Sequence, residues 1–296
     1  MTPHHVISAG NILGEGIQWH RDSGLWWTDI EASLILHQPA DTDTVERIAA
    51  PQRVGSFALV EGAADTLLCA FETGFGWFDL TTGEVEWIDQ QEPRGGGRRF
   101  NDGRVDRQGR FWAGTMIEDE TLAPPRSAAL YRLDGTQARL CHEGITISNG
   151  VAWSPDGLTM YFADSPARRI LAFDFEPSNG EISNPRLFAE TLPGAYPDGA
   201  TVDADGCLWS AHWGASQVVR YRPDGTIDSK IALPVSQPSC VAFGGDALDL
   251  LFVTTARVGL TPEQLALEPL AGDVLVYRVG ASGLAQETVR RDRSGG

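Results

Sequence analysis

No stretch of this chain approaches the run of about 18 apolar residues that a membrane helix needs, so no span is expected. The N-terminus, MTPHHVISAG, has no basic segment followed by an apolar one, so it does not read as a secretory signal and a cytoplasmic address is the expectation. Positive charge is scarce. Lys and Arg number 23 against 40 Asp and Glu, a formal charge of −17. So acidic a surface repels phosphate backbones and argues against nucleic-acid binding. Cysteine is sparse and scattered: Cys69, Cys141, Cys207 and Cys240 form no CxxC pair. They read as reduced structural thiols, not as a zinc site or a disulfide framework.

Several catalytic signatures are missing as well. The six histidines make no HExxH or HxH, and there is no GxSxG elbow, no GxxxxGK[ST] loop and no GxGxxG in a βαβ setting. No long, capped stripe of 3.6-residue period appears, so little helix is expected. The one candidate opens at Thr261 as N-cap with Pro262 in the first turn.

What the chain does have is turns and a repeat. Gly 33 and Pro 17 exceed the usual share, and 42% hydrophobic content is ample for a core. One phrase recurs: an apolar stretch, an Asp/Gly turn, then a second apolar or aromatic stretch. It reads GIQWHRDSGLWWT at 16–28, GRVDRQGRFWA at 103–113, GVAWSPDGLTMYFAD at 150–164 and ATVDADGCLWS at 200–210. Weaker copies turn near Asp65 and Asp246. The turns at 24, 65, 109, 157, 206 and 246 are spaced by 41, 44, 48, 49 and 40 residues. Such periods, with Gly-bearing hairpins between β-rich runs, predict propeller blades. The expectation is an all-β, six-bladed β-propeller of four-stranded blades around a central channel. It forms a single domain over 1–296, with a core at about 7–280.

In a propeller the innermost strand of each blade lines the channel, so residues at one phase of the repeat converge at one mouth. Counting seven to nine residues back from each turn gives Glu15, Ser56, Asn101, Asn149, Asp198 and Ser239. All bear oxygen, and Glu15, Asn149 and Asp198 are each followed by Gly, which lets backbone turn close to a ligand. Two carboxylates and two amides without an obvious basic partner would repel one another, and a divalent cation would resolve the conflict. The bland alternative is a polar, water-filled channel. An Arg of the Arg98–Asp102 stretch, which follows Gly95–Gly97, could clamp a carboxylate or a sugar hydroxyl with its planar fork, or it could pair with an acidic neighbour. The acidic loop at 118–120 could reach over the mouth. Trp19, Trp112, Trp153 and Trp209 recur at strand positions and are expected in the core.

Five motifs occur in order: LGEG at 13–16, RFNDG at 99–103, GTM at 114–116, SNG at 148–150 with SPDG at 154–157, and PDG at 197–199. Together they resemble the SMP-30/gluconolactonase/luciferin-regenerating (regucalcin-like) family in its bacterial sugar-lactonase branch. The likeness runs over about residues 7–280. It implies one divalent ion (Ca, Zn, Mg, Mn or Fe) held by Glu15, Asn149 and Asp198. It implies substrate contacts from Arg99 and Asn101. A further acidic contact falls on the 118–119 stretch, taken by count as Asp119 with Glu118 the alternative.

The expected activity is metal-dependent hydrolysis of a five- or six-carbon aldonolactone, such as xylono-, arabinono- or gluconolactone, to the aldonic acid. The ion would act as Lewis acid and Asp198 as general acid/base. The expected partner is therefore a small sugar lactone, with no nucleic acid, membrane or protein partner. Two alternatives stay open: a non-catalytic metal-binding propeller, and a hydrolase of other esters.

Overall fold

Alternating β-rich segments separated by Gly-bearing turns fold into six antiparallel four-stranded sheets, each a blade, in a computed structural model that describes residues 1–291. The inner strands, in chain order, are Gly14–His20, Val54–Val60, Arg98–Val105, Ser148–Trp153, Tyr196–Val202 and Pro238–Gly244. Each packs against the next, and the sixth meets the first, so the sheets close into a ring. The expected six-bladed propeller is what forms. Closure joins the two ends of the described chain: the N-terminal strand His5–Ile7 pairs with Val274–Arg278 as the outermost strand of the sixth blade.

The core is divided. Six clusters of buried side chains each lie between two neighbouring blades; one joins Trp112 and Leu130 of the third blade to Val151 and Phe162 of the fourth. Trp112, Trp153 and Trp209 are buried there as expected, while Trp19 is half-buried beside the cluster that joins the sixth and first blades. All four cysteines are free.

Beneath the hairpin turns a second pattern repeats. The Asp106 carboxylate accepts the Trp112 Nε1–H at 3.0 Å and two backbone N–H groups of its own turn. Asp203 does the same with Trp209 at 2.8 Å. A short acid thus ties each turn to the aromatic of the following strand. The helix expected at Thr261 spans Pro262–Leu267, and Thr261 and Gln264 form a capping box. No helix among the described residues is long and apolar enough to cross a membrane.

The channel is asymmetric because the inner strands all start at one end face. After the sixth blade the chain crosses the other face, where Gly283 bridges Asp203 and Val289 bridges Val60.

Candidate active site

Every inner strand breaks its pairing register at the position that the repeat singles out. The shifts fall between Glu15 and Gln18, Val54 and Ser56, Phe100 and Gly103, Asn149 and Ala152, Pro197 and Ala200, and Pro238 and Cys240. A bulge turns a side chain out of the alternating pattern. Six bulges at one level bring Glu15, Asn101, Asn149 and Asp198 to the wall of a cavity of about 590 Å³ at the channel mouth. Gly16 and Gly150, just after two of these residues, have φ of 60° and 61°, a conformation that glycine adopts freely.

Glu15 and Asp198 are buried beside each other, and each accepts the N–H of the glycine that follows it, at 3.0 and 3.1 Å. Burial, reinforced by the nearby Asp102 charge, raises the Glu15 carboxyl to about 8. Burial and the Glu15 charge push Asp198 well above the usual carboxylate range. Two acids held this way bind protons unless a cation takes their place.

The amides are oriented by a relay that crosses three blades. Arg99 Nη1 donates to Asn101 Oδ1 at 2.8 Å, and Asn101 Nδ2 donates to Asn149 Oδ1 at 3.2 Å. Asn149 Nδ2 donates to Ser165 Oγ at 2.8 Å, and Ser165 Oγ donates to the Pro197 carbonyl at 2.7 Å. Asn149 is therefore fixed with its carbonyl oxygen toward Asn101 and its NH2 toward Ser165. Together Glu15, Asn149 and Asp198 supply the hard oxygen donors that a divalent cation takes. Ser56 and Ser239 are buried at the same level, Ser239 bonding the Gly14 carbonyl and Thr254.

A deeper layer was not legible as such. The ligand-capable atoms of Glu15, Asp102 and Cys240 lie within 4.8 Å of one another. A basic partner, absent from the repeat's phase, comes from Arg104, whose Nη2 lies 3.6 Å from Cys240 Sγ and whose Nη1 donates to Gln286 Oε1 at 3.0 Å. Its charge opposes the burial that raises Asp102. Arg104 thus compensates the lower acid from below.

The 118–119 stretch separates cleanly. Glu118 lines the cavity and accepts Arg99 Nε at 2.9 Å, and both its oxygens take the Arg53 fork at 2.7 Å. Burial alone would raise Glu118, but the two arginines outweigh it and hold the carboxyl below its ordinary value. Asp119 turns away: its Oδ1 accepts the Thr121 N–H at 2.8 Å and the Thr121 hydroxyl at 2.5 Å within the loop. Arg98 faces Glu92 and Ser127 instead of the cavity.

Arg53, Ser165, Tyr196 and Trp213 escaped the sequence reading. Arg53 carried a usable signal, since it precedes the second inner strand much as Arg99 precedes Asn101. Ser165 lies just after the second strand of its blade, Thr159–Asp164, a phase outside the repeat's aligned positions.

A ring of six blades that delivers buried acid and amide oxygens to one mouth defines a β-propeller with an acidic channel site. The chain belongs to the SMP-30/gluconolactonase/luciferin-regenerating family, whose model, described as the SMP-30/Gluconolactonase/LRE-like region, matches residues 13–257. It is 42% identical to an L-arabinolactonase of Azospirillum brasilense, with 95% of this chain and 93% of that protein aligned. It is 33% identical to a 6-deoxy-6-sulfogluconolactonase of Pseudomonas putida, over 95% of this chain and 96% of that one. The crystal structure of a calcium-binding protein, regucalcin, from Agrobacterium tumefaciens superposes with a TM-score of 0.91 at 26% identity, covering 98% of this chain and 99% of that one.

Proposed function

We propose that this protein hydrolyses a neutral five- or six-carbon sugar lactone to the aldonic acid, with one divalent cation held by Glu15, Asn149 and Asp198. The observation that carries the reading is the buried Glu15–Asp198 pair that shares a cavity wall with Asn149, Arg99 and Glu118. The likeness to an L-arabinolactonase supports the substrate class. The likeness to a calcium-binding regucalcin supports the cation. Four free thiols support a cytoplasmic address.

When bound, the cation supplies Lewis acidity toward a carbonyl oxygen and compensates the two acids. The chain's own residues do the rest. Arg99 spends Nε and Nη1 on Glu118, Phe100 and Asn101, which leaves Nη2 to donate to a sugar hydroxyl. Asn101 spends both amide protons on the Ser148 carbonyl and Asn149, so it can only accept from the substrate. Glu118 is fixed by Arg53 and faces the same sugar edge, so we assign the acidic contact to Glu118 in place of Asp119. Asp198 takes a proton from the attacking water, the ring C–O bond breaks, and the same carboxyl returns the proton to the departing ring oxygen.

The test is Asp198→Asn beside the parent protein, scored by acid release from arabinonolactone after subtraction of spontaneous opening. Loss of at least about 1,000-fold in kcat fits combined loss of a proton carrier and a ligand. A fully active variant refutes the assignment.

A further inference from the structure

The cavity has two unlike walls. One is charged, with Glu31, Glu118 and Arg99 at the surface and Arg53 behind them. The other is apolar, built from Ile147, Pro166, Tyr196 and Trp213 among others. Tyr196 and Trp213 are cross-strand partners in the fifth blade, so they stand side by side. Tyr196 is 40% exposed, whereas most aromatic side chains of the described residues are buried.

The charged wall has no cation to spare. Arg53 gives Nη1 and Nη2 to Glu118, Nε to Glu72 and a longer contact to Glu31. Arg99 is bound to the same Glu118. Three carboxylates face two guanidiniums, which leaves one negative charge. A divalent ion with Glu15 and Asp198 is neutral as a set and does not change that balance.

We infer, resting on the lactonase reading above, that the cavity selects uncharged lactones and rejects those with an anionic group on the exocyclic carbons. The C–H face of the ring lies on the Tyr196–Trp213 pair, since an apolar aromatic face complements it. The hydroxyl edge meets Arg99, Asn101 and Glu118. An anionic tail meets Glu31 and Glu118 with the Arg53 and Arg99 guanidiniums already paired, and like charges brought together in a partly buried site repel.

A matched pair tests this directly: glucono-1,4-lactone and glucaro-1,4-lactone, which differ only in a hydroxymethyl or a carboxylate at the last carbon. With metal-loaded protein, kcat/KM for the carboxylate form is expected to be at least about 30-fold lower. Glu31→Gln should narrow that ratio severalfold, and so should raised salt. Trp213→Ala should raise KM for gluconolactone by about 10-fold with kcat moved less than about threefold, and Trp213→Phe should restore most of the loss. Equal efficiency on the two lactones, or an unmoved KM in Trp213→Ala, overturns the inference and leaves the lactonase reading intact. Failure to open any lactone overturns both.

Discussion

Glu15 and Asp198 arrive from the first and fifth blades and lie buried beside each other in the channel, each with its carboxyl raised by burial and by its acidic neighbours. In the unfolded chain Glu15 has its ordinary value of 4.5, against about 8 in the fold. The metal-free fold therefore keeps protons that the unfolded chain has released. The contribution of Glu15 to stability is fully present below about 4.5 and is lost as pH rises toward 8. Thermal unfolding of chelated protein should show a Tm that declines across this window, and added divalent ion should remove most of the decline. A Tm that rises steadily from pH 5 to 8 without metal would contradict the coupled pair.

Glu118 and Asp119 are neighbours with different work. Glu118→Gln weakens its hold on Arg53 and Arg99, so KM for a lactone should rise by about 10-fold or more. Asp119→Asn touches a loop turn and should stay within about twofold. Steady-state kinetics on the two variants would reverse the assignment if Asp119 carried the larger effect.

Ser165 acts through Asn149. It accepts Asn149 Nδ2 and donates to the Pro197 carbonyl, which fixes the amide with its oxygen toward Asn101. Ser165→Ala frees the amide to rotate, and partners of this kind typically change metal affinity by about 10–100-fold. Titration of chelated protein with metal by calorimetry checks the shift, and Ser165→Thr should recover part of it. Unchanged affinity would show that Ser165 is merely structural.

Asp203 is a stability residue far from the mouth. It is fully buried and accepts Trp209 Nε1, Arg220 Nε and two backbone N–H groups. Asp203→Ala strands these donors and should cost about 3–5 kcal/mol. Urea unfolding reads the loss, while the folded fraction should keep the parent kcat.

The blade count was readable because hairpin turns need Gly at positive φ, and those glycines mark the period. The level of Glu15, Asn101, Asn149 and Asp198 was readable because each lies a near-constant distance before its turn. The seven-to-nine spread in that distance belongs partly to the bulges, which no pattern of alternation announces. The closing strand His5–Ile7 was not readable, since three residues carry no period of their own. Arg104 and Trp213 were missed for another reason. Their roles come from side chains that meet across blades, and such meetings depend on the curvature of the ring. The choice between Glu118 and Asp119 turned on a single step along a loop, where counting from a motif has no fixed frame.

The most direct test of the whole account is acid release from xylono-, arabinono-, galactono- and gluconolactone by chelated protein, with and without each of Ca²⁺, Mg²⁺, Mn²⁺, Zn²⁺ and Fe²⁺. The account predicts turnover that is absent after chelation, returns with a divalent ion and prefers one neutral sugar. No turnover above spontaneous opening with any ion, or equal turnover in chelated protein, would contradict it.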